Sequence, residues 1–245
     1  MAARVLVLRP QAAGLRTAAR LAALGVDCVR APILRIEPTG APVPEGPFDA
    51  VCVTSAAALH RMAHLPDALK ALPLLAVGER TALLAREVGF AHVHAADGER
   101  HSLAALAREL FATRAGTRML LALGHDHKPD TPALLRGAGV DPVPWIAYEA
   151  RAADALPEAA RSALASGTLD TVLHYSRRSA AIACDLAERA GLWPAFAACA
   201  HYVLSDDVAV PLRERGAATV LVAERPHEDA LLALFTAIDR AQGSP

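Results

Sequence analysis

Apolar residues fall along this chain in short runs. The runs Arg4–Leu8, Ala50–Val53, Leu74–Val77, His92–Ala95, Met119–Leu123, Thr171–Tyr175, Tyr202–Leu204 and Thr219–Ala223 have strand length. Between them lie Ala-rich stretches with helical spacing: Thr17–Leu24, Glu79–Val88, Leu103–Phe111, Ala180–Ala190, Val208–Glu214 and Asp229–Ala241. Gly25, Gly89, Gly139, Gly191 and Gly216 stand where a helix end favours a residue without a side chain. Strand and helix patterns in alternation predict an α/β fold with parallel sheets.

The pattern also repeats. Arg4–Leu8 followed by Leu24-Gly25-Val26 recurs as Arg118–Ala122 followed by Ala138-Gly139-Val140. Asp49–Ser55 matches Asp170–Ser176, and Ala91–Phe111 matches Ala218–Ile238. The displacement grows only at loops, as expected of a duplicated fold. Two Pro-bearing extended segments, Cys28–Pro38 and Asp141–Glu149, sit at equivalent places and are unsuited to helix. Read as crossovers, they predict two lobes: residues 1–35 with 149–245, and residues 36–148. Such a doubly tethered arrangement is expected to hold its ligand in the cleft.

Composition narrows the function. The 245 residues are 53% hydrophobic, enough for sizeable cores, yet no run reaches the ~20 apolar residues that span a bilayer. A formal charge of -1 argues against a dedicated nucleic-acid surface, though not against a local anion site. No secretory signal pattern is visible at the start, so a cytoplasmic location is expected. Cys28, Cys52, Cys184 and Cys199 show no metal or redox spacing and read as small buried apolar residues.

Candidate chemistry lies at four strand-to-helix junctions, where free backbone N–H groups favour anions. These are Thr54-Ser55-Ala56, Val77-Gly78-Glu79-Arg80-Thr81, Tyr175-Ser176-Arg177-Arg178-Ser179 and Leu204-Ser205-Asp206-Asp207. The bland alternative is that their hydroxyls only cap helices. Phosphate-loop, dinucleotide and nucleophile-elbow motifs are all missing, and Arg9-Pro10 stands where a dinucleotide site would carry its glycine turn. A polyanion held by loops is therefore expected, rather than NAD or ATP. The His125-Asp126-His127-Lys128 run lacks a further ligand group for a metal and reads better as a solvated or anion-contacting loop. Tyr148, in the second crossover, carries a phenol that could donate a proton to a leaving hydroxyl.

These residues together resemble the uroporphyrinogen-III synthase family. The likeness runs through Val5–Pro10, Gly25, Ala31-Pro32, Asp49–Ala56, Ala76–Gly78, Thr81-Ala82, Tyr148, Asp170–Ser179, Leu204-Ser205 and Ala223 with Pro226. It implies two similar, flavodoxin-like parallel-sheet lobes, duplicated and joined by a two-stranded connector. It implies hydroxymethylbilane, a linear tetrapyrrole octacarboxylate, as substrate, with no cofactor and no metal. Loss of water would give an azafulvene, then a spiro intermediate, and a ring closed with its last pyrrole inverted. Tyr148 would assist hydroxide departure; Arg9, Thr54, Ser55, Ala56, Gly78, Thr81, Ser176, Arg177, Arg178, Ser179 and Ser205 would bind substrate. A monomer without nucleic-acid or membrane partners is expected. The chain departs from the family at Asp206-Asp207-Val208, where relatives carry small or hydroxyl residues. A non-catalytic bilobal carrier or sensor of a polyanion is the competing reading.

Overall fold

The computed structural model describes residues 4–98, 100–114 and 116–242, with side chains through residue 235. Its strands are β1 (Arg4–Val7), β2 (Asp27–Arg30), β3 (Leu34–Pro38), β4 (Ala50–Val53), β5 (Pro73–Ala76), β6 (His92–Ala95), β7 (Thr117–Gly124), β8 (Val140–Ala152), β9 (Thr171–His174), β10 (Ala200–Val203) and β11 (Thr219–Val222). The helices are α1 (Gln11–Ala23), α2 (Leu59–Met62), α3 (Asp67–Lys70), α4 (Glu79–Glu87), α5 (Arg100–Leu110), α6 (Thr131–Gly137), α7 (Glu158–Ala165), α8 (Arg177–Arg189), α9 (Trp193–Ala198), α10 (Asp206–Glu214) and α11 (Glu228–Gln242). None is long and apolar enough to cross a membrane.

The chain divides into two compact units, Met1–Arg35 with Arg151–Pro245, and Ile36–Ala150. In the first unit the strand order is β2-β1-β9-β10-β11, all parallel. In the second, β8-β7-β4-β5-β6 are parallel in turn, with β3 added beyond β8. Matched through the sequence repeat, both sheets have the 2-1-3-4-5 order of a flavodoxin-like fold. Each sheet takes its first two positions from one repeat and the other three from the other.

A repeated hydrogen-bond pair fixes this correspondence at the atomic level. The Arg4 N–H donates to Asp170 Oδ2 at 2.8 Å, and the Asp170 N–H to Arg4 O at 3.0 Å. In the second unit the Arg118 N–H donates to Asp49 Oδ2 at 3.0 Å, and the Asp49 N–H to Arg118 O at 2.8 Å. Gly25 and Gly139 close the equivalent helices with φ of 72° and 89°, the left-handed conformation that costs glycine least.

Residues alternate across each sheet, so each unit holds two apolar clusters, one per face. Leu6, Val172 and Val203 lie in one cluster of the first unit; Val5, Val7 and Leu173 lie in the other. In the second unit Val51, Val53 and Leu120 pack on one face, Cys52, Met119 and Leu121 on the other. The free cysteines fit this packing, and burial pushes the thiols of Cys52 up to about 12 and of Cys184 and Cys199 up to about 11. Cys28 differs from the expected burial: it sits half-exposed because β2 is an edge strand.

The crossovers also differ in extent from the sequence expectation. Asp27–Arg30 belongs to the first sheet, paired with β1, and only the β3 stretch passes to the second unit. The return crossing, β8, is a single 13-residue strand. The Thr39 N–H donates to Ala147 O, and the Ala153 N–H to Ile33 O, so β3 and β8 run antiparallel. Pro142 and Pro144 are tolerated in β8 because they precede its bonds to β3, which begin at Ile146 and Ala147.

Candidate functional site

In a parallel sheet the strand ends feed helix starts, and ligands gather there. In the second unit these ends surround a pocket of about 560 Å³ lined by Thr54, Ser55, Val77, Gly98, Arg100, His101, Asp126, His127, Lys128, Thr131 and Tyr148. Of the residues expected from sequence, Thr54, Ser55 and Tyr148 line it. Ser55 is an extended N-cap whose Oγ accepts the Ala57 N–H at 3.2 Å, so its capping role is real. Ala56 opens the short turn that follows.

Tyr148 brings its phenol to this wall. A β-bulge between Leu123 and Gly124 sets Gly124 opposite Tyr148. Such bulges re-aim side chains. The His125 N–H holds Tyr148 O at 2.8 Å. The phenol ring lies directly on the glycine: a Cβ at Gly124 would stand 2.5 Å from Tyr148 Cζ and 2.7 Å from its hydroxyl oxygen. The other side of Tyr148 borders a recess of about 110 Å³ with Ile36, Pro38, Ala57, His60 and Arg61. Arg61 is anchored by the carbonyls of Thr39 and Ala41 and lies over the Trp145 ring.

Three expected contacts, Ala56, Gly78 and Thr81, do not line the pocket. Gly78 starts α4 with extended backbone and packs on Gly98, whose Cα would lie 3.3 Å from an added Cβ. Thr81 is turned into the core from the first turns of α4, because its position falls on the helix's buried face. Val77, rather than Gly78 or Thr81, reaches the pocket.

In the first unit, Ser176 caps α8, its Oγ accepting the Ser179 N–H at 3.2 Å, while Ser179 Oγ donates to Ser176 O. Arg177 is exposed and pairs with Asp207 at 3.2 Å; Arg178 is exposed beside it. Ser205 begins α10 without a side-chain cap bond. Asp206 pairs with Arg213 at 3.0 Å, so both acids after Ser205 are countered and also favoured by the helix N-terminus.

Arg9 is engaged within the chain. Its guanidinium stacks 3.9 Å from the Tyr175 ring centroid and pairs with Glu228 Oε1 at 2.6 Å. Thr17 Oγ1 and the Tyr175 hydroxyl donate to the same oxygen at 2.6 and 2.8 Å, and Arg20 donates to Oε2 at 3.1 Å. Burial alone would raise the Glu228 carboxyl, but the Thr17 and Tyr175 hydrogen bonds and the two arginines hold it below its usual range. Burial pushes the Tyr175 phenol well up. Sequence reading missed this cluster because Arg9 and Glu228 lie 219 positions apart. It also missed Arg100, His101 and Thr131 in the pocket wall; the His125–Lys128 run was the available signal.

The described residues bring no three His, Cys, Asp or Glu side chains together as metal ligands. A buried pair, His174 and His201, is separate from the pocket: His174 Nε2 meets His201 Nδ1 at 3.0 Å, and His201 Nε2 meets Phe196 O at 3.0 Å.

The family model described as HEM4, uroporphyrinogen-III synthase HemD, matches residues 16–233. Among solved structures, uroporphyrinogen-III synthetase from Helicobacter pylori is similar at TM-score 0.64 and 17% identity, over 96% of this chain and 99% of that one. A mutant uroporphyrinogen III synthase from Thermus thermophilus aligns at TM-score 0.50 and 21% identity, over 98% and 99%. A search of curated proteins gave no match.

Proposed function

Because the chain belongs to the uroporphyrinogen-III synthase family, we propose that it closes hydroxymethylbilane to uroporphyrinogen III with loss of water and inversion of ring D. Substrate and product differ by one water, so the reaction moves no net electrons and calls for no redox cofactor. The hydroxyl leaves the terminal hydroxymethyl carbon with a proton, giving an azafulvene. The far pyrrole attacks through its substituted carbon to form a spiro intermediate, which reopens and closes inverted.

The observation that supports this reading most is the seat of Tyr148, a phenol in the wall of a polar pocket with its ring against Gly124. We assign it the proton for the departing hydroxide, a general-acid role worth about 10²–10⁴-fold. The remaining task is to hold a flexible octacarboxylate in one geometry, and orientation supplies much of such a rate. Backbone N–H groups at the start of a helix such as α8 favour a carboxylate by about 0.3–1 kcal/mol.

Tyr148→Phe removes the hydroxyl and keeps the ring on Gly124. Turnover of hydroxymethylbilane should fall about 100-fold or more, with the circular dichroism spectrum unchanged. A rate within a few-fold of wild type removes Tyr148 from the mechanism.

A further inference from the structure

We propose that the pocket of the second unit contains a carboxylate subsite built on the hydroxyl of Thr131, with the Lys128 ammonium as its cationic side and the His127 ring beside it. Thr131 is 4% exposed, lines the pocket, and its hydroxyl has no hydrogen-bond partner among the described residues. Among the described residues no buried side-chain oxygen or nitrogen lacks a partner, so the Thr131 hydroxyl is reached from the pocket, where a ligand atom can complete its bonding.

The internal repeat identifies what that ligand is. The match of Arg4–Val26 to Arg118–Val140 places Thr131 in register with Thr17. In the first unit Thr17 Oγ1 donates to a carboxylate, Glu228 Oε1, at 2.6 Å, and the same oxygen receives the Tyr175 hydroxyl and Arg9. The repeat carries Glu228 onto His101, so the second unit keeps the threonine and lacks the carboxylate.

The backbone differs at the same place. Helix α1 starts at Gln11, in register with His125, but α6 starts only at Thr131. Pro129 cannot supply a helical N–H and disfavours helix in the residue before it. The first turns are therefore an open loop, and the space they leave is part of the pocket. That loop contributes Lys128 and His127 to the wall, and His101 and Arg100, the latter paired with Asp130, line it as well. His127 Nδ1 lies 2.9 Å from Gly124 O, to which it donates, which leaves Nε2 as its second polar atom. Asp126 is also on the wall, 3.4 Å from His125 Nδ1. A ligand carboxylate in the place of the Glu228 carboxylate would take the Thr131 hydroxyl and the Lys128 ammonium. The chemical class is an aliphatic carboxylate arm of the substrate, and this assignment to substrate rests on the synthase reading.

Succinate titrated into the ¹⁵N-labelled protein serves as a probe independent of turnover. Amide shifts should centre on Lys128 and Thr131, and Thr131→Val with Lys128→Gln should weaken binding roughly tenfold or more. In the synthase assay the same double variant should raise KM by a similar factor and leave kcat within about twofold. Thr131→Val is nearly isosteric and removes no bond, so it is expected to fold; if the double variant does not, each single variant carries the test. Succinate that binds wild type and both variants alike, or shifts only residues elsewhere, overturns the subsite. If the subsite binds succinate but the protein makes no isomer III, the subsite stands and the synthase reading falls. Isomer III formed with unchanged KM in the variants gives the converse.

Discussion

The His174–His201 pair predicts an acid sensitivity confined to the first unit. Both rings are within 2% of full burial, on the sheet face that also holds Phe196. Because Phe196 O can only accept, His201 carries its proton on Nε2 and accepts at Nδ1 from His174 Nε2–H. Adding a proton to His201 Nδ1 breaks that bond inside an apolar cluster. Burial accordingly lowers the His201 pKa to about 4 and, with the neighbouring His201, that of His174 well below its usual value. The unfolded chain, with pKa near 6.5, binds more protons between the two values, so stability is complete above about pH 6.5 and is lost as pH falls toward 4. His201 alone should cost about 2 kcal/mol between pH 7.5 and pH 5, at up to about 1.4 kcal/mol per pH unit. His174 adds in the same direction. The assay is urea unfolding at both pH values, followed by Trp193, which stacks near Phe196 at 5.9 Å, in a Trp145→Phe background. His201→Gln keeps a donor toward Phe196 O but cannot titrate, so its pH dependence should be smaller by about 2 kcal/mol. Equal pH dependence in the two proteins would refute the reasoning.

Other substitutions probe different parts of the molecule. Gly124→Ala puts a Cβ 2.5 Å from Tyr148 Cζ; the ring must move about 1 Å, lowering kcat on the order of 10–100-fold and stability by about 1–3 kcal/mol. Combined with Tyr148→Phe, it should add little further loss of kcat; full multiplicative loss would mean that Gly124 does not act through the phenol. Glu228→Gln leaves Arg9 short of an anion at a site 23% exposed, while Arg20 keeps Asp229; after allowance for partial solvent screening, unit-one stability should drop by about 1–3 kcal/mol. A melting temperature unchanged within 1 °C, roughly, would show the network to be energetically idle.

How far the sequence revealed the fold follows from the length scale of each signal. Runs such as Ala50–Val53 stand out because they are buried on both faces, and every residue of that strand is apolar. The repeat was visible because Asp49 and Asp170 perform the same backbone bond at the same strand start. Edge strand β2, only partly buried, lacked such a run and merged with the crossover that follows. The capping roles of Ser55 and Ser176 were legible because local chemistry decides them. Thr81 lies on the buried face of α4 because helix phase, which the junction pattern ignores, turns it inward. Arg9 depended on a partner at the other end of the chain, and Thr131 on a helix start delayed by Pro129; neither leaves a local mark.

The most direct measurement supplies purified protein with hydroxymethylbilane, oxidises the products and separates the uroporphyrin isomers. Closure without the enzyme gives the uninverted isomer I. Isomer III is expected as the dominant product, formed faster than spontaneous closure and in proportion to protein added. Isomer I alone, at the spontaneous rate, would contradict the synthase reading and leave a protein that holds a polyanion without turning it over.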